Sequence, residues 1–350
     1  MNYHGRCAES IENSVLRVTV LREGGHIAEL LHKPTGVNPL WTPPWPSIEP
    51  STYDAATYPE YGVAIDACLL AGIMGHNLCL DIFGGPSDEE AAVGLGVHGE
   101  GSVAAYDIQP NGSALSMSAR FPMAEIRFSR ALALYDDTLE VTETIESLAA
   151  FDRPIGWTQH VTLGPPFLKC GVTRFEMSAR KSKVFEGQFG AADYLAPAAE
   201  FEWPHAPNAD SGVSDLTLFN GANSSSAFTT HQMDPQLTKS YFAAINPELD
   251  LRLAYSWRRA DFPWLGRWEE NRSRAQAPWN GQTVACGLEF GVSPIPETRR
   301  QMIDRGQLFG EPVYRWLPAH ARLSVQYSAR LSAADQVNRG DLCSPLTFSS

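Results

Sequence analysis

Three residues of this 350-residue chain have the types and settings that proton-transfer chemistry asks for: His98, His160 and Glu289. Glu289 stands in an apolar run, Val284 to Val292, that carries no other charge. A carboxylate in such a run must find partners or change its pKa, because burial penalises its charged form. Fixed, partly desolvated and tuned upward, it has what a general base needs; the ordinary alternative is a structural carboxylate held by an arginine or by backbone N–H groups. Gly287 and Gly291 flank it, and glycine inside a strand pattern lets a ligand or another backbone come close. His160 lies in the run Ile155 to Leu163, which stops at Gly164-Pro165-Pro166. His98 stands among Gly96, Gly99 and Gly101, where the backbone can bend tightly around the imidazole. Histidine titrates near neutral pH and a desolvated glutamate can be raised toward it, so the set can do paired acid–base work. Each histidine also has an ordinary role, in a turn or bonded to a neighbouring strand.

The elements that must position these residues read as β-strands. Leu16–Leu21 alternates with period two, a Gly24-Gly25 turn follows, and Ile27–His32 returns. The signal is strongest between Ser102 and Leu148. There Leu139, Val141 and Ile145 share one face of a strand and Glu140, Thr142, Thr144 and Glu146 the other, the pattern of a half-solvated antiparallel hairpin. Tyr241–Ile245, Leu251–Trp257 and Leu323–Leu331 read as further strands. Residues 42–62, rich in proline and aromatic residues, read as an irregular binding loop or lid. Ala67–Gly75 reads as a short buried helix or strand, between which periodicity does not decide; Pro296–Arg305 reads as a short helix. With no internal repeat and no linker, the expected architecture is all-β: one domain over residues 1–350, two large, mostly antiparallel sheets packed as a sandwich.

Composition narrows the partners. Hydrophobic residues make up 43% of the chain, enough for a sizeable core, and 40 acidic against 27 basic residues give a formal charge of −13. That balance argues against nucleic acid and anionic membrane surfaces, both of which want basic patches. The cysteines (7, 68, 79, 170, 286 and 343) are scattered without CxxC spacing, as in a reducing compartment. No signal-peptide pattern opens the chain and no apolar run is long enough to span a bilayer, so the expectation is a cytoplasmic protein.

The order of these motifs resembles the aldose 1-epimerase (galactose mutarotase-like) superfamily. Leu16 to Trp41 is similar to that family's start: strand, Gly-Gly turn, strand, Lys33-Pro34-Thr35-Gly36, then Pro39-Leu40-Trp41. His98-Gly99 resembles its His-Gly motif, His160 its second histidine, and Gly287-Leu288-Glu289 with Pro294 and Pro296 the motif of its catalytic glutamate. Leu317 to Tyr327 looks like its final strand. The resemblance spans nearly the whole chain and implies a β-supersandwich with a sugar site in a concave face. It also implies roles: Glu289 takes the proton of the anomeric hydroxyl, His160 protonates the ring oxygen, and His98 binds and orients that region.

The chain departs from the family in two places. The arginine that precedes the first histidine is missing, since no arginine lies between Arg22 and Arg120; His76 and Asn77 stand in roughly that place. The binding aspartate has no motif, and Asp234 is the candidate. Glu100, directly after His98-Gly99, joins the expected substrate-binding set. So do Trp268 and Trp279, whose indoles suit the apolar face of a pyranose. The implied partner is a small-molecule carbohydrate, and no motif calls for a cofactor. Two other readings stay open: a non-catalytic sugar-binding module, and a metal-dependent lyase or hydrolase using His76, His98 and His160 with Glu100 or Glu289, although the spacing matches no metal signature. Oligomeric state is not legible.

Overall fold

Alternation along the strands decides which faces meet. In the computed structural model, which describes residues 1–221 and 224–334, strand Ile126–Tyr135 buries every second residue, and its hairpin partner Thr138–Ser147 does the same. These strands belong to an eight-stranded antiparallel sheet with one wet face, built in the order Arg174–Met177, Lys239–Asn246, Leu251–Arg258, Arg322–Ser332, Thr138–Ser147, Ile126–Tyr135, Ala114–Phe121 and Asp107–Asn111. Cys343 and residues 222–223 lie outside the described residues.

The second sheet has twelve strands among the described residues. Its centre runs His76–Asp81, Arg153–Leu163, Val284–Gly291, Trp264–Asn271, Ser225–Met233. These strands are buried on both faces almost throughout. One face packs on the first sheet through Leu78, Leu80, Trp157, Val161, Leu288 and Phe290. The other is covered by the irregular segment that precedes His76. Arg6, fully buried, fastens that segment by donating to Ser47, Glu49 and the Gly72 carbonyl. Within it, Trp45 Nε1 donates to Leu70 O at 2.9 Å. Residues Ala67–Gly72 are helical, which settles the ambiguity left by periodicity, and the second expected helix is Arg299–Arg305.

The structure departs from the sequence reading on one central strand. Trp264–Asn271, which bears the expected sugar-facing Trp268, carries Arg267, Glu269 and Glu270 and is not among the expected strands; it is a wholly buried strand. Its charges are neither solvated nor in a cleft. Arg267 Nη2 meets Glu269 Oε2 at 3.0 Å, and Glu270 accepts from the Ser273 amide and hydroxyl. Pairing offsets part of the penalty that would otherwise keep such residues at the surface, although Arg267 Nε and Nη1 have no hydrogen-bond partner among the described residues.

A second buried polar group lies between the sheets. Glu143 is fully buried on the inward face of its strand. It accepts from Arg130 Nε (2.8 Å), Trp157 Nε1 (3.0 Å), Gln159 Nε2 (2.7 Å) and Tyr327 Oη (3.0 Å). Gln159 Oε1 extends the network to His76 Nε2 at 3.1 Å.

Candidate functional site

The strand register brings His160 and Glu289 together. His160 is paired with Glu289 on one side and with Asn77 on the other. Because side chains alternate, all three lie on the covered face of the large sheet, and Trp157, Gln159 and His76 lie on the core face. His160 Nε2 and Glu289 Oε1 are 3.0 Å apart. His160 Nδ1 is 3.0 Å from the Thr162 hydroxyl, two residues along the same strand. That hydroxyl can donate to a neutral ring or accept from an imidazolium, so both protonation states of His160 find partners.

Glycine makes room for the carboxylate. A Cβ at Gly287 would stand 2.5 Å from Glu289 Oε1, and one at Gly266 3.3 Å from Oε2. The glycine beside Glu289 therefore serves close approach, as the sequence suggests, and the atom approached is the carboxylate itself.

His98 enters from the segment after strand His76–Asp81. Its backbone is stitched to that strand by Leu80 N to His98 O (3.0 Å) and His98 N to Gly84 O (3.1 Å). A Cβ on Gly99 would fall 2.3 Å from Leu80 O, and Gly99 has φ +73°, so the His-Gly pair needs its glycine for both reasons. His98 Nδ1 is 2.6 Å from Phe83 O. A carbonyl only accepts, so Nδ1 carries the hydrogen and Nε2 keeps its lone pair. Burial, and next the neighbouring His160, push the His98 pKa down to about 3, so this ring is a neutral acceptor. The two imidazoles lie 5.3 Å apart between centroids.

His98, His160 and Glu289 line one cavity of about 230 Å³. That is less than the roughly 300–1,000 Å³ of drug-sized sites and suits a single small ring. Trp268 and Trp279 line it too, with Trp41, Phe83 and Phe228. Trp41 and Trp279 stack at 6.4 Å and 16°, and the Trp268 ring is 6.0 Å from that of His160. The walls are thus largely aromatic, with polar groups concentrated at the histidine–glutamate end.

Four expected binding residues lie elsewhere. His76 faces the inter-sheet core, between Gln159 and the Tyr255 hydroxyl at 3.3 Å, because it is one residue out of phase with Asn77. Asn77 shares the covered face but does not line the cavity; its Nδ2 donates to Ser102 Oγ at 3.4 Å. Glu100 accepts from the Ala124 amide at 2.9 Å and fixes a turn. Asp234 accepts from the Gln236 amide at 2.9 Å in the turn after Met233. The metal reading fails on the same geometry, since His76 lies across the sheet from His98 and His160.

Sequence reading missed two charged liners, Asp66 and Arg274. Asp66 precedes the short helix. Arg274 follows strand Trp264–Asn271, and its guanidinium lies 4.7 Å from the Trp279 ring centroid, 5.6 Å from Trp268 and 5.8 Å from Phe189. The tryptophan-rich stretch was the only signal pointing there.

No family model matches the chain, and no curated protein does. Solved structures do. A candidate aldose 1-epimerase of Klebsiella pneumoniae superposes with a TM-score of 0.66 at 14% identity, over 92% of this chain and 78% of that one. A galactose mutarotase related enzyme of Lactobacillus acidophilus gives 0.61 at 13%, over 95% and 100%. A galactose mutarotase-like protein of Clostridium acetobutylicum gives 0.59 at 12%, over 95% and 100%. At such identities the likeness speaks for architecture, and on it the chain has the galactose mutarotase-like fold that its motif order implied.

Proposed function

We propose that this chain is a single-domain, cytoplasmic enzyme that interconverts the anomers of a small sugar, in the manner of an aldose 1-epimerase. The observation that carries the reading is the His160–Glu289 contact of 3.0 Å in the wall of an aromatic cavity sized for one ring. Ring opening moves one proton off the anomeric hydroxyl and another onto the ring oxygen, so it needs a base and an acid beside the same carbon. Glu289 takes the O1 proton as O1 becomes a carbonyl oxygen and the bond from C1 to the ring oxygen breaks. The imidazolium of His160 gives its Nε2 proton to that ring oxygen and becomes neutral. Both partners end uncharged, and closure on the other face of C1 reverses each transfer. His98, a neutral acceptor, receives a hydrogen bond from a neighbouring hydroxyl and orients the ring. The aromatic walls pack against the apolar face of the sugar.

The test is anomeric exchange, followed by saturation-transfer NMR on a panel of free, acidic, amino and phosphorylated sugars. Wild-type protein should accelerate exchange for at least one sugar, and Glu289→Gln and His160→Gln should each remove that acceleration while keeping the fold. Ligand binding with no acceleration would favour a sugar-binding module, a reading to which the direct His160–Glu289 bond gives some support because each group already holds the other.

A further inference from the structure

Arg274 lines the cavity with a guanidinium whose bonding is incomplete in a way that describes a ligand. Its side chain is only 20% exposed and faces three aromatic rings. Its guanidinium makes no hydrogen bond to any described residue; its single ion pair runs from Nε to Glu270 Oε2 at 3.4 Å. Glu270 is already committed, accepting from the Ser273 amide at 2.6 Å, the Ser273 hydroxyl at 2.7 Å and the Arg274 amide at 3.2 Å. A guanidinium carries five N–H donors in a planar fork and stays protonated. A second donor lacks an acceptor on the same wall: the indole N–H of Trp268 is buried and has no partner among the described residues. Leaving such donors unmet costs free energy, and a ligand that accepts from them recovers it.

We propose that the cavity takes a sugar acid, a pyranose bearing one carboxylate, with that carboxylate held by the guanidinium of Arg274. This rests on the anomer-exchange reading, in which C1 sits at His160 and Glu289. The Trp268 ring lies between the two ends, beside His160 on one side and Arg274 on the other, so a single sugar ring laid along it reaches both. Charge selects a monoanion. Among the described residues Arg274 is the only Lys or Arg lining the cavity, Asp66 and Glu289 also line it, and His98 is neutral. One guanidinium offers a carboxylate a matched two-point contact, whereas a phosphate dianion would bring a second negative charge to a guanidinium that already has Glu270, Asp66 and Asp193 near it. A neutral sugar leaves the desolvated cation without the charge-assisted bonds that offset its burial.

The experiment is titration calorimetry of wild-type protein with glucuronate, galacturonate, glucose, galactose and glucose 6-phosphate, repeated with Arg274→Met and Arg274→Lys. Wild type should bind one uronate at least about tenfold tighter than its neutral parent. Arg274→Met should bring that ratio close to one, and Arg274→Lys, which keeps charge but not the fork, should leave it between. Equal or tighter binding of the neutral sugar overturns the proposal; so does tighter binding of the phosphate, or a uronate preference that survives Arg274→Met in folded protein. Exchange measured on the same sugars separates the two proposals. Arg274-dependent uronate binding without exchange would refute the enzymatic reading alone. Exchange of neutral sugars with no uronate preference would refute the sugar-acid reading alone.

Discussion

Acid should unfold this protein, and buried histidines set the amount. His26, His98 and His231 are each held neutral, with pKa pushed down to about 3, chiefly by burial. For His26 the nearby Arg6 adds to the effect, for His98 the neighbouring His160, and for His231 Arg267. An unfolded histidine titrates near 6.5. The folded pKa lies below the unfolded one, so below pH 6.5 the unfolded chain binds more protons, and stability falls as pH falls toward 3. Between pH 7 and pH 4 each of these three removes about 3 kcal/mol, together about 9 kcal/mol, comparable to a typical total stability of roughly 5–15 kcal/mol. His76, buried between the sheets and held well below the ordinary value by burial and next by Arg130, adds to the loss. Near pH 5 the slope should reach at least about 4 kcal/mol per pH unit, about three protons from His26, His98 and His231 with a further contribution from His76. Urea unfolding at several values between pH 7.5 and 5 measures it; Glu186, held down at about 2 by Arg305 and Lys183, starts to add its own loss only at the acid end of that window, as the unfolded glutamate nears its ordinary value of 4.5. His231→Gln isolates one contribution: losing the Ser182 and Thr229 contacts lowers stability at every pH, but the slope should shrink by one proton. A slope below one proton in wild type, or one unchanged in the variant, would refute the reasoning.

Three further perturbations address the site and its support. Gly287→Ala places a methyl 2.5 Å from Glu289 Oε1 and 3.2 Å from the Trp268 ring, so the carboxylate must move by about 1 Å; anomer exchange measured by NMR should slow by roughly 100-fold. Thr162→Val removes the partner of His160 Nδ1, worth about 1 kcal/mol, and should slow exchange roughly fivefold with sugar affinity in calorimetry little changed. Glu143→Ala strips the acceptor from the fully buried Arg130 and should cost about 3–5 kcal/mol in urea unfolding.

Much of the fold could be read from pattern, because most strands alternate and the pattern is local. Leu16–Leu21 and Ile27–His32 have the expected bounds, and the hairpin around Tyr135 pairs as its alternation requires. Trp264–Asn271 could not be read, because its buried charges are tolerated only through partners such as Ser273 and Tyr194, whose positions pairing within the sheet decides. The site divides the same way. Short motifs with a built-in reason, Gly287 beside a carboxylate and Gly99 beside a histidine, marked residues that line the cavity. Candidates chosen by position alone, His76 and Asp234, do not line it. His76 fails by strand phase, a property that needs the facing sheet to be known; Arg274 was hidden because its significance lies in rings from other segments.

Phase also gives the buried polar network a role near the site. Strand Arg153–Leu163 offers Thr158, His160 and Thr162 to one face and Trp157, Gln159 and Val161 to the other, so a slip of one residue would exchange the two sets. An apolar core tolerates hydrophobic side chains of many shapes and resists such a slip only weakly. Glu143 resists it strongly, because it accepts from Trp157 and Gln159 at once and from Tyr327 on the neighbouring strand of its own sheet. A slipped strand would leave the buried Glu143 carboxylate without its Trp157 and Gln159 donors, and the low dielectric that strengthens the network makes that loss severe. The contacts that fix the phase of Gln159 therefore fix that of His160, its neighbour in sequence, and with it the 3.0 Å approach to Glu289. Loosening the network at Gln159, on the face of the strand opposite the cavity, should blur the geometry of the acid–base pair before it unfolds the chain.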